Sequence, residues 1–524
     1  MKLKQFLFSA ALLASMNAIG QSVPTHEMYV DFGITERTDI VSALDKWQPG
    51  DNFSNDPDYQ DENFFISRVP LKSRFINQNT QANKNLNEEN NKNLCWCSPI
   101  GEMTKKWGPM PRYNFDGDNF NMWQYINIHA NWSNTWFRVP GTFNDVAHKN
   151  GVRTGCLYFI DWAEQVSATS SAGKMLAELC AKDGSGNFKY ARKLIQFLKY
   201  YGIDGLGLNP EGYWSTQLNE DFSSFLAECH KVAKEMNHPF HVEWYAFVSN
   251  TGGLNDNGCK LEIGANDKWF HKNGNPVTDV FFLNYNWSES GLQTSAEAAK
   301  SLGRSTYDVY AGFDQQGRGY GKYGNAGWTA LMRQPVSIVV WGAHDRSQLY
   351  AGSTEGGNSD LSVQNEYQKK QELLFTGGSR NVLRTPDITD DAITSSYSDL
   401  AKWHGYSKAV IEESALTELP FVTRFNLGNG LSFSKDGVVT FEHKWYNLGL
   451  QDLLPTWRWW IDNGDGTTIP ADPINCDFTF DDAWFGGSCL KLHGATSKSN
   501  IRLFSTKCLV LVLTSGRSRK VSQR

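Results

Sequence analysis

Midway along the chain the sequence reads Gly202-Ile203-Asp204-Gly205-Leu206-Gly207-Leu208-Asn209-Pro210-Glu211. Small and branched apolar residues that end in an amide and a carboxyl describe a buried strand with a polar tip. Side chains two apart on a strand point the same way, so Asn209 and Glu211 should project together from its end. A carboxyl can give and take a proton while a neighbouring amide orients the reacting group. An isolated Asn-x-Glu is more often a turn than a site, and its place at a strand end is what singles it out. Asp161-Trp162-Ala163-Glu164, Asn284-Tyr285-Asn286-Trp287, Asp314, Arg318 and Trp341 recur in similar settings.

The elements that must position these groups follow from the apolar pattern. Eight strands are expected at Leu94–Ser98, Tyr125–Ala130, Arg153–Asp161, Gly202–Asn209, His241–Phe247, Asp279–Asn284, Tyr307–Phe313 and Ser337–Trp341. Helical stretches separate most of them: Thr142–Lys149, Phe188–Tyr200, Asn219–Glu235, Ser295–Leu302 and Asn325–Met332. Strands alternating with helices imply a parallel sheet, and eight such units fit a closed (β/α)8 TIM barrel, an α/β fold, better than an open sheet. The chemically loaded residues then fall at the C-terminal strand ends, where barrel enzymes keep their sites. No Gly-x-Gly-x-x-Gly turn follows the first strand, which disfavours a dinucleotide domain. Gly317-Arg318-Gly319-Tyr320-Gly321 lacks the Lys-Ser/Thr of a phosphate cradle and is read as a loop.

At 524 residues the chain exceeds one ordinary domain. Residues 94–384 are assigned to the barrel, closed by a helix at Leu361–Phe375. Residues 385–524 carry short strands and turns expected to form a β-sandwich domain. The basic tail Ser515–Arg524 adds no strand, so either the sandwich is incomplete or the chain is truncated. Residues 21–93 form a polar lead-in whose Asn/Gln-rich part, Asn77–Asn93, is expected to be an exposed loop or linker. Residues 1–20 combine a basic start, an apolar run and a small-residue ending, the parts of a secretory signal peptide, which predicts a secreted or periplasmic protein. No stretch is long enough to span a bilayer. A net charge of −6 without a basic stripe disfavours nucleic acid. Nine cysteines are too few and too scattered for a disulfide scaffold or a metal centre. Cys95 and Cys97 are expected as buried thiols, and Cys476 and Cys489 as a possible pair.

The spacing Asp204-x-x-Gly207-x-Asn209-x-Glu211 resembles the Asp-x-x-Asp-x-Asp-x-Glu signature of family 18 chitinases, with the middle acids replaced by Gly and Asn. Asn in the second-last acidic position resembles glycoside hydrolase family 85, the endo-β-N-acetylglucosaminidases. Further segments similar to that family run in order from residue 94 to 460. They include Leu94-Cys95-Trp96-Cys97, Trp123-Gln124-Tyr125, Val139-Pro140-Gly141, Asn144-x-x-Ala147-His148, Trp244-Tyr245, Phe281-Phe282-x-Asn284-Tyr285, Asp308-Val309-Tyr310-x-Gly312-x-Asp314 and Gln451-Asp452-x-Leu454-Pro455-Thr456-Trp457-Arg458-Trp459. The chain departs after Trp244-Tyr245: the family's Trp-Gln-Asn segment is replaced by Lys260-Leu261-Glu262, and the next Trp is Trp269.

The resemblance implies cleavage of the GlcNAc-β-1,4-GlcNAc bond in the core of N-glycans, without cofactor or metal. The sugar's own 2-acetamido oxygen would be the nucleophile, so one protein carboxyl suffices. Glu211 would be acid and then base, Asn209 would orient the acetamide, and Tyr245 would hold it. Without the resemblance Tyr245 would be an ordinary core tyrosine. Trp162, Trp287 and Trp341 are candidates for stacking on sugar rings, and Glu164, Asn284, Asp314 and Arg318 for hydroxyl contacts. Packing or a surface salt bridge is the alternative for each. N-glycans of glycoproteins are thus the expected partners, with the chain acting as a monomer. The competing expectations are a family 18-like chitinase or endoglycosidase, opposed by Gly207 and Asn209, and an inactive glycan-binding protein, opposed by the strand-end Glu211.

Overall fold

A computed structural model describes residues 40–51, 65–98, 119–134, 136–137, 139–254, 258–318, 327–342, 361–389, 402–443, 445–494 and 498–507. The expected leader at 1–20, most of the Gly317–Gly321 loop, the Leu509–Leu513 run and the basic tail lie outside the described residues.

Eight parallel strands close into a barrel: β1 (Leu94–Ser98), β2 (Ile128–Asn134), β3 (Arg153–Ile160), β4 (Gly205–Pro210), β5 (His241–Tyr245), β6 (Val280–Leu283), β7 (Val309–Asp314) and β8 (Ser337–Trp341). Each pairs with its sequence neighbour, and β1 closes the ring on β8 in the register Leu94↔Ile338. The barrel interior is packed with Cys95, Cys97, Ile128, Ala130, Val280, Phe282, Tyr310 and Val339. The outer faces bury a larger apolar shell under the helices. Burial on both faces explains why these strands read as continuous apolar runs.

The helices around the ring include α1 (Gly141–Lys149), α2 (Ala191–Tyr201), α3 (Thr216–Glu235), α4 (Glu289–Ser301), α5 (Trp328–Met332) and α6 (Leu361–Thr376). Helix α2 turns Leu194, Ile195, Phe197, Leu198 and Tyr201 inward. It ends at Gly202, which adopts φ 73° and donates its N–H to Leu198 O, a left-handed cap that glycine tolerates without strain. That cap shortens the expected fourth strand, which begins at Gly205 rather than Gly202. Helix α3 starts where the Ser215 hydroxyl accepts the Leu218 N–H at 3.3 Å.

Asp204, the first acid of the motif, belongs to this scaffold rather than to the mouth of the barrel. It is buried at the N-terminal side of β4, accepting from Thr154 N at 2.8 Å and meeting His148 Nε2 at 2.9 Å. Burial opposes the charged imidazole of His148, but its hydrogen bond to Asp204 and that carboxylate's charge outweigh the burial and raise its pKa.

The lead-in is not a free linker. Residues 65–93 run as a strap beneath the N-terminal ends of the strands. Arg74 Nη1 donates to Ile126 O at 2.7 Å, the buried Lys92 ammonium to Val336 O at 2.9 Å, and Ala82 N to Glu412 Oε1 at 2.8 Å. Backbone carbonyls of neighbouring elements supply the order that its own apolar content does not.

Beyond residue 402 two- and three-stranded antiparallel sheets pack around a second core of Leu427, Trp459, Ile461, Cys476, Phe478 and Phe480. The segment Trp457-Arg458-Trp459-Trp460 is buried. Arg458 Nη1 donates to Asn121 Oδ1 at 2.7 Å and lies 3.4 Å from Glu372 Oε1 on α6. Trp459 Nε1 donates to Glu372 Oε2 at 3.0 Å, so the β-rich region is clamped to the barrel. Cys476 and Cys489 are both free thiols: the pairing of Ile474–Thr479 with Cys489–Gly494 sets Cys489 opposite Thr479 and Cys476 opposite Leu492. Cys95 and Cys97 are buried thiols with sulfurs 4.0 Å apart.

Candidate active site

At the end of β4, Asn209 is buried and Glu211 half-buried, and Asn209 Nδ2 donates to Glu211 Oε2 at 2.9 Å. The same amide nitrogen lies 3.4 Å from Ile160 O at the end of β3. The Asn209 –NH2 is thereby committed to the protein, which leaves its carbonyl oxygen to accept from a ligand. Burial pushes the Glu211 carboxyl above its ordinary value, the Asn209 hydrogen bond pulls it back, and the charge of Asp161 adds to the rise. A carboxyl tuned this way carries a proton nearer neutral pH than a free glutamate does.

The backbone around Glu211 is held by the neighbouring strand end. Ala163 N donates to Glu211 O at 2.7 Å, Tyr213 N to Glu164 O at 2.7 Å, and Gln165–Val166 pairs in parallel with Tyr213–Trp214. Ala163 takes φ 61° to make this contact, a sparsely populated conformation for a residue with a side chain. Gly212 permits the close approach, since a Cβ there would lie 2.5 Å from Val166 Cγ2 and 2.6 Å from Glu164 O.

Tyr245, at the end of β5, is 7% exposed, with its ring 4.9 Å from Phe282 and 5.9 Å from Tyr285. Burial, with the charge of Glu211 next, drives its hydroxyl pKa upward, so it remains a hydrogen-bond donor. One layer deeper, Glu243 faces His241, with Oε1 and Nε2 2.8 Å apart. Burial pushes Glu243 up to about 8 and His241 well below its ordinary value, so burial favours the neutral form of each. Gly155 and Gly207 make the space: a Cβ would stand 2.6 Å and 2.9 Å, respectively, from the Glu243 carboxylate oxygens. The glycine that replaces a middle acid of the motif thus admits an acid from the next strand.

The remaining expected site residues divide. Asp314, the last residue of β7, and Arg318 four residues on lie together, Nε to Oδ2 3.9 Å. Arg318 reaches Asn286 Oδ1 at 2.6 Å and sits 5.7 Å from the Tyr285 ring. Asn284 caps this cluster by accepting the Tyr285 N–H at 2.6 Å. Trp162 is 59% exposed, edge-on to Phe247 at 5.2 Å. Glu164 lies beside it, its carboxylate 3.3 Å from Asp161 N. Trp341 ends β8, half-buried. Trp287 does not reach the mouth: it is fully buried against Phe313, with Nε1 donating to Gly312 O at 2.8 Å, and has no face for a sugar. Trp269 is likewise buried, stacked on Trp244 at 3.9 Å.

Sequence reasoning missed Trp132 and gave Tyr285 no role of its own. Trp132 lies 5.5 Å from Trp341 and 6.1 Å from Phe282 and is half-buried. Ending the second strand at Ala130 hid it, although the two-residue period through Ile128 and Ala130 leads to Trp132. Tyr285 stood inside a quoted motif; its hydroxyl is pushed up first by burial and then by Tyr245 and Asp314, which places it among them. Among the described residues no group of His, Cys, Asp and Glu is arranged to hold a metal, and no helix is long and apolar enough to cross a membrane.

Against known proteins, the glycoside hydrolase domain of Endo-D from Streptococcus pneumoniae R6 superposes with a TM-score of 0.73 at 24% identity, covering 89% of this chain and 67% of that one. That likeness establishes the fold. A cytosolic endo-β-N-acetylglucosaminidase of Gallus gallus is 23% identical over 500 residues, 91% of this chain and 55% of the relative. The enzyme of the same description from Danio rerio is 25% identical over 378 residues, 72% and 45% of the two chains. The chain spans about half the length of these curated relatives. Their description as cytosolic, shared by the Homo sapiens and Mus musculus relatives, overturns the expectation of a secreted or periplasmic protein: an apolar start is a weaker guide than six relatives of one kind. The sequence model of glycosyl hydrolase family 85 matches residues 104–433, well over half of the chain, and the chain belongs to that family.

Proposed function

We propose that the protein is an endo-β-N-acetylglucosaminidase that hydrolyses the GlcNAc-β-1,4-GlcNAc bond in the core of N-glycans, with retention, through an oxazoline formed by the substrate. The observation that carries this is the Asn209 Nδ2–Glu211 Oε2 contact of 2.9 Å beside the Tyr245 hydroxyl. It gives one carboxyl whose hold on its proton burial strengthens and an amide whose –NH2 is already committed to the protein.

In the first step the acetamide oxygen of the substrate attacks C1 and the C1–O bond breaks. The Glu211 proton passes to the departing GlcNAc oxygen. Asn209 Oδ1 accepts the acetamide N–H, which raises the nucleophilicity of the carbonyl and stabilises the positive charge on the oxazoline nitrogen. The Tyr245 hydroxyl keeps the acetamide beneath C1. In the second step Glu211, now a carboxylate, takes a proton from water as that water attacks C1 and the oxazoline opens. The conventional pathway needs a second carboxyl about 5–5.5 Å from the first as nucleophile. The described neighbours closest in role, Asp161 and Asp314, sit on an exposed loop and beside Arg318.

In this reading the chain acts as a monomer, with the barrel holding the catalytic set. The decisive experiment is Glu211→Gln, incubated with a high-mannose glycoprotein and read by mass spectrometry. The parent should leave a single GlcNAc on asparagine, and the variant should bind glycan without changing its mass. Activity within a few-fold of the parent removes Glu211 from the mechanism, and binding without cleavage by the parent makes the protein a lectin.

A further inference from the structure

Outside the catalytic set, a cleft of about 450 Å³ lies between α6 and the hairpin Ile474–Thr479/Cys489–Gly494. Its floor is a chain of alternating charges. Glu372, buried at the barrel interface, is held at 2.6 Å by Arg380 Nε, and Arg380 Nη1 lies 2.8 Å from Asp477 Oδ1. The Asp477 carboxylate continues to His493 Nε2 at the surface, and burial of Asp477 is outweighed by these partners, which lower its pKa. At the rim Lys491 faces Asp481 at 3.9 Å.

The lining therefore balances. Glu372, Asp477 and Asp481 stand against Lys369, Arg380 and Lys491, with the His493 imidazole bonded to Asp477. An anion such as phosphate, or a cation, entering here meets as many charges of its own sign as of the opposite one. A neutral ligand meets fixed donors and acceptors side by side instead. Gln368 adds an amide whose Oε1 is taken by Asn121 Nδ2 at 2.6 Å and whose buried Nε2 has no partner among the described residues. Phe478 supplies an apolar wall. Vicinal hydroxyls, each both donor and acceptor, are the groups that satisfy adjacent carboxylates, ammonium groups and amides at once. The volume suits one or two sugar rings, toward the small end of the roughly 300–1,000 Å³ of ligand sites.

We infer that this cleft is a second saccharide site, separate from the catalytic one and specific for neutral sugars. The inference does not depend on the hydrolytic reading. It is tested in the full-length Glu211→Gln background by saturation-transfer NMR with methyl α-D-mannopyranoside and with N-acetylglucosamine. The comparison is the Asn365→Ala/Asp481→Ala double change, at one lining residue from α6 and one beside the hairpin. At least one sugar should give a signal that the double change weakens tenfold or more. Hydrolysis of a soluble glycan by the same double variant with Glu211 intact should stay within twofold of the parent. The proposal fails if neither sugar gives a signal sensitive to the double change, or if inorganic phosphate binds in their place. Should the double variant melt well below the parent, soaking methyl α-D-mannopyranoside into crystals of the full chain decides: sugar density in the cleft supports the site, and its absence there refutes it.

Discussion

Replacing Asn209 with Ala separates the two contacts on which the proposed mechanism depends. It removes the donor held 2.9 Å from Glu211 Oε2 and the carbonyl that would accept the acetamide N–H. A lost donor or acceptor at a developing charge costs about 2.7–4 kcal/mol, so cleavage of a natural glycan should fall roughly 10²–10³-fold. A glycan oxazoline supplied ready-made has already passed the step in which the acetamide is oriented. Glu211 remains to activate water, so the variant should consume the oxazoline well above the buffer rate. The pH profile carries a second signature. The Asn209 hydrogen bond favours the ionised carboxyl, so its loss leaves burial and Asp161 to hold Glu211 higher still. Oxazoline hydrolysis, which needs the carboxylate, should lose its activity on acidification at a higher pH than in the parent. The assay is kcat/KM on both substrates across pH. Near-parent cleavage of the natural glycan would refute acetamide participation through Asn209 and turn the search to Asp161 or Asp314 as nucleophile. Inactivity on both substrates would make Asn209 a brace for the strand end.

Gly207→Ala sets a methyl 2.9 Å from Glu243 Oε2 and 3.1 Å from Leu157 Cδ1, an overpacking that should cost about 1–3 kcal/mol in denaturant titration and be largely recovered by adding Glu243→Ser. Folded Glu243 ionises near 8 and Glu412 near 7, both above the ordinary carboxylate range. The folded chain therefore holds their protons where the unfolded chain has released them. Their contribution to stability is full below the ordinary carboxylate range and is lost as pH rises through about 7 to 8; Glu243→Gln should flatten that decline in unfolding free energy. Arg458→Met leaves Glu372 buried with one cationic partner fewer and should destabilise by about 3–5 kcal/mol in urea, with unfolding of barrel and β-rich region still coincident. Limited proteolysis should likewise fail to release an active barrel alone, because Trp457, Trp459 and Arg458 are buried against it.

The barrel was legible because doubly buried parallel strands leave uninterrupted apolar runs, and β1 and β8 begin and end where those runs do. Boundaries slipped where backbone conformation decides them, as at Gly202, whose left-handed turn belongs to the preceding helix. Asn209 and Glu211 are singled out because the two-residue period at a strand end sets which side chains converge, whereas Tyr245 enters only through the family resemblance. Trp287 could not be assigned this way: beyond the strand end the period no longer holds, and its indole turned back to Gly312 O. The strap is a largely exposed loop over 77–93, as one reading had it, and the linker reading failed for a different reason. Its composition is that of a linker, and its order comes from carbonyls and carboxylates that lie far away in sequence.

That strap sets a timetable for synthesis. Ala82 waits for Glu412, 330 residues later, and Phe75 pairs with Ser414. At roughly 5–20 residues per second, elongation keeps them apart for about 15 to 65 seconds. Over most of that interval β1 also lacks β8, so the ring is open and Leu94, which ends up fully buried, has no partner on that side. The nascent chain thus exposes a strand edge and a partly anchored strap for far longer than local folding takes. A ribosome that stalls before residue 412 leaves the strap held at Ile126 and Val336 but without its Glu412 and Ser414 anchors.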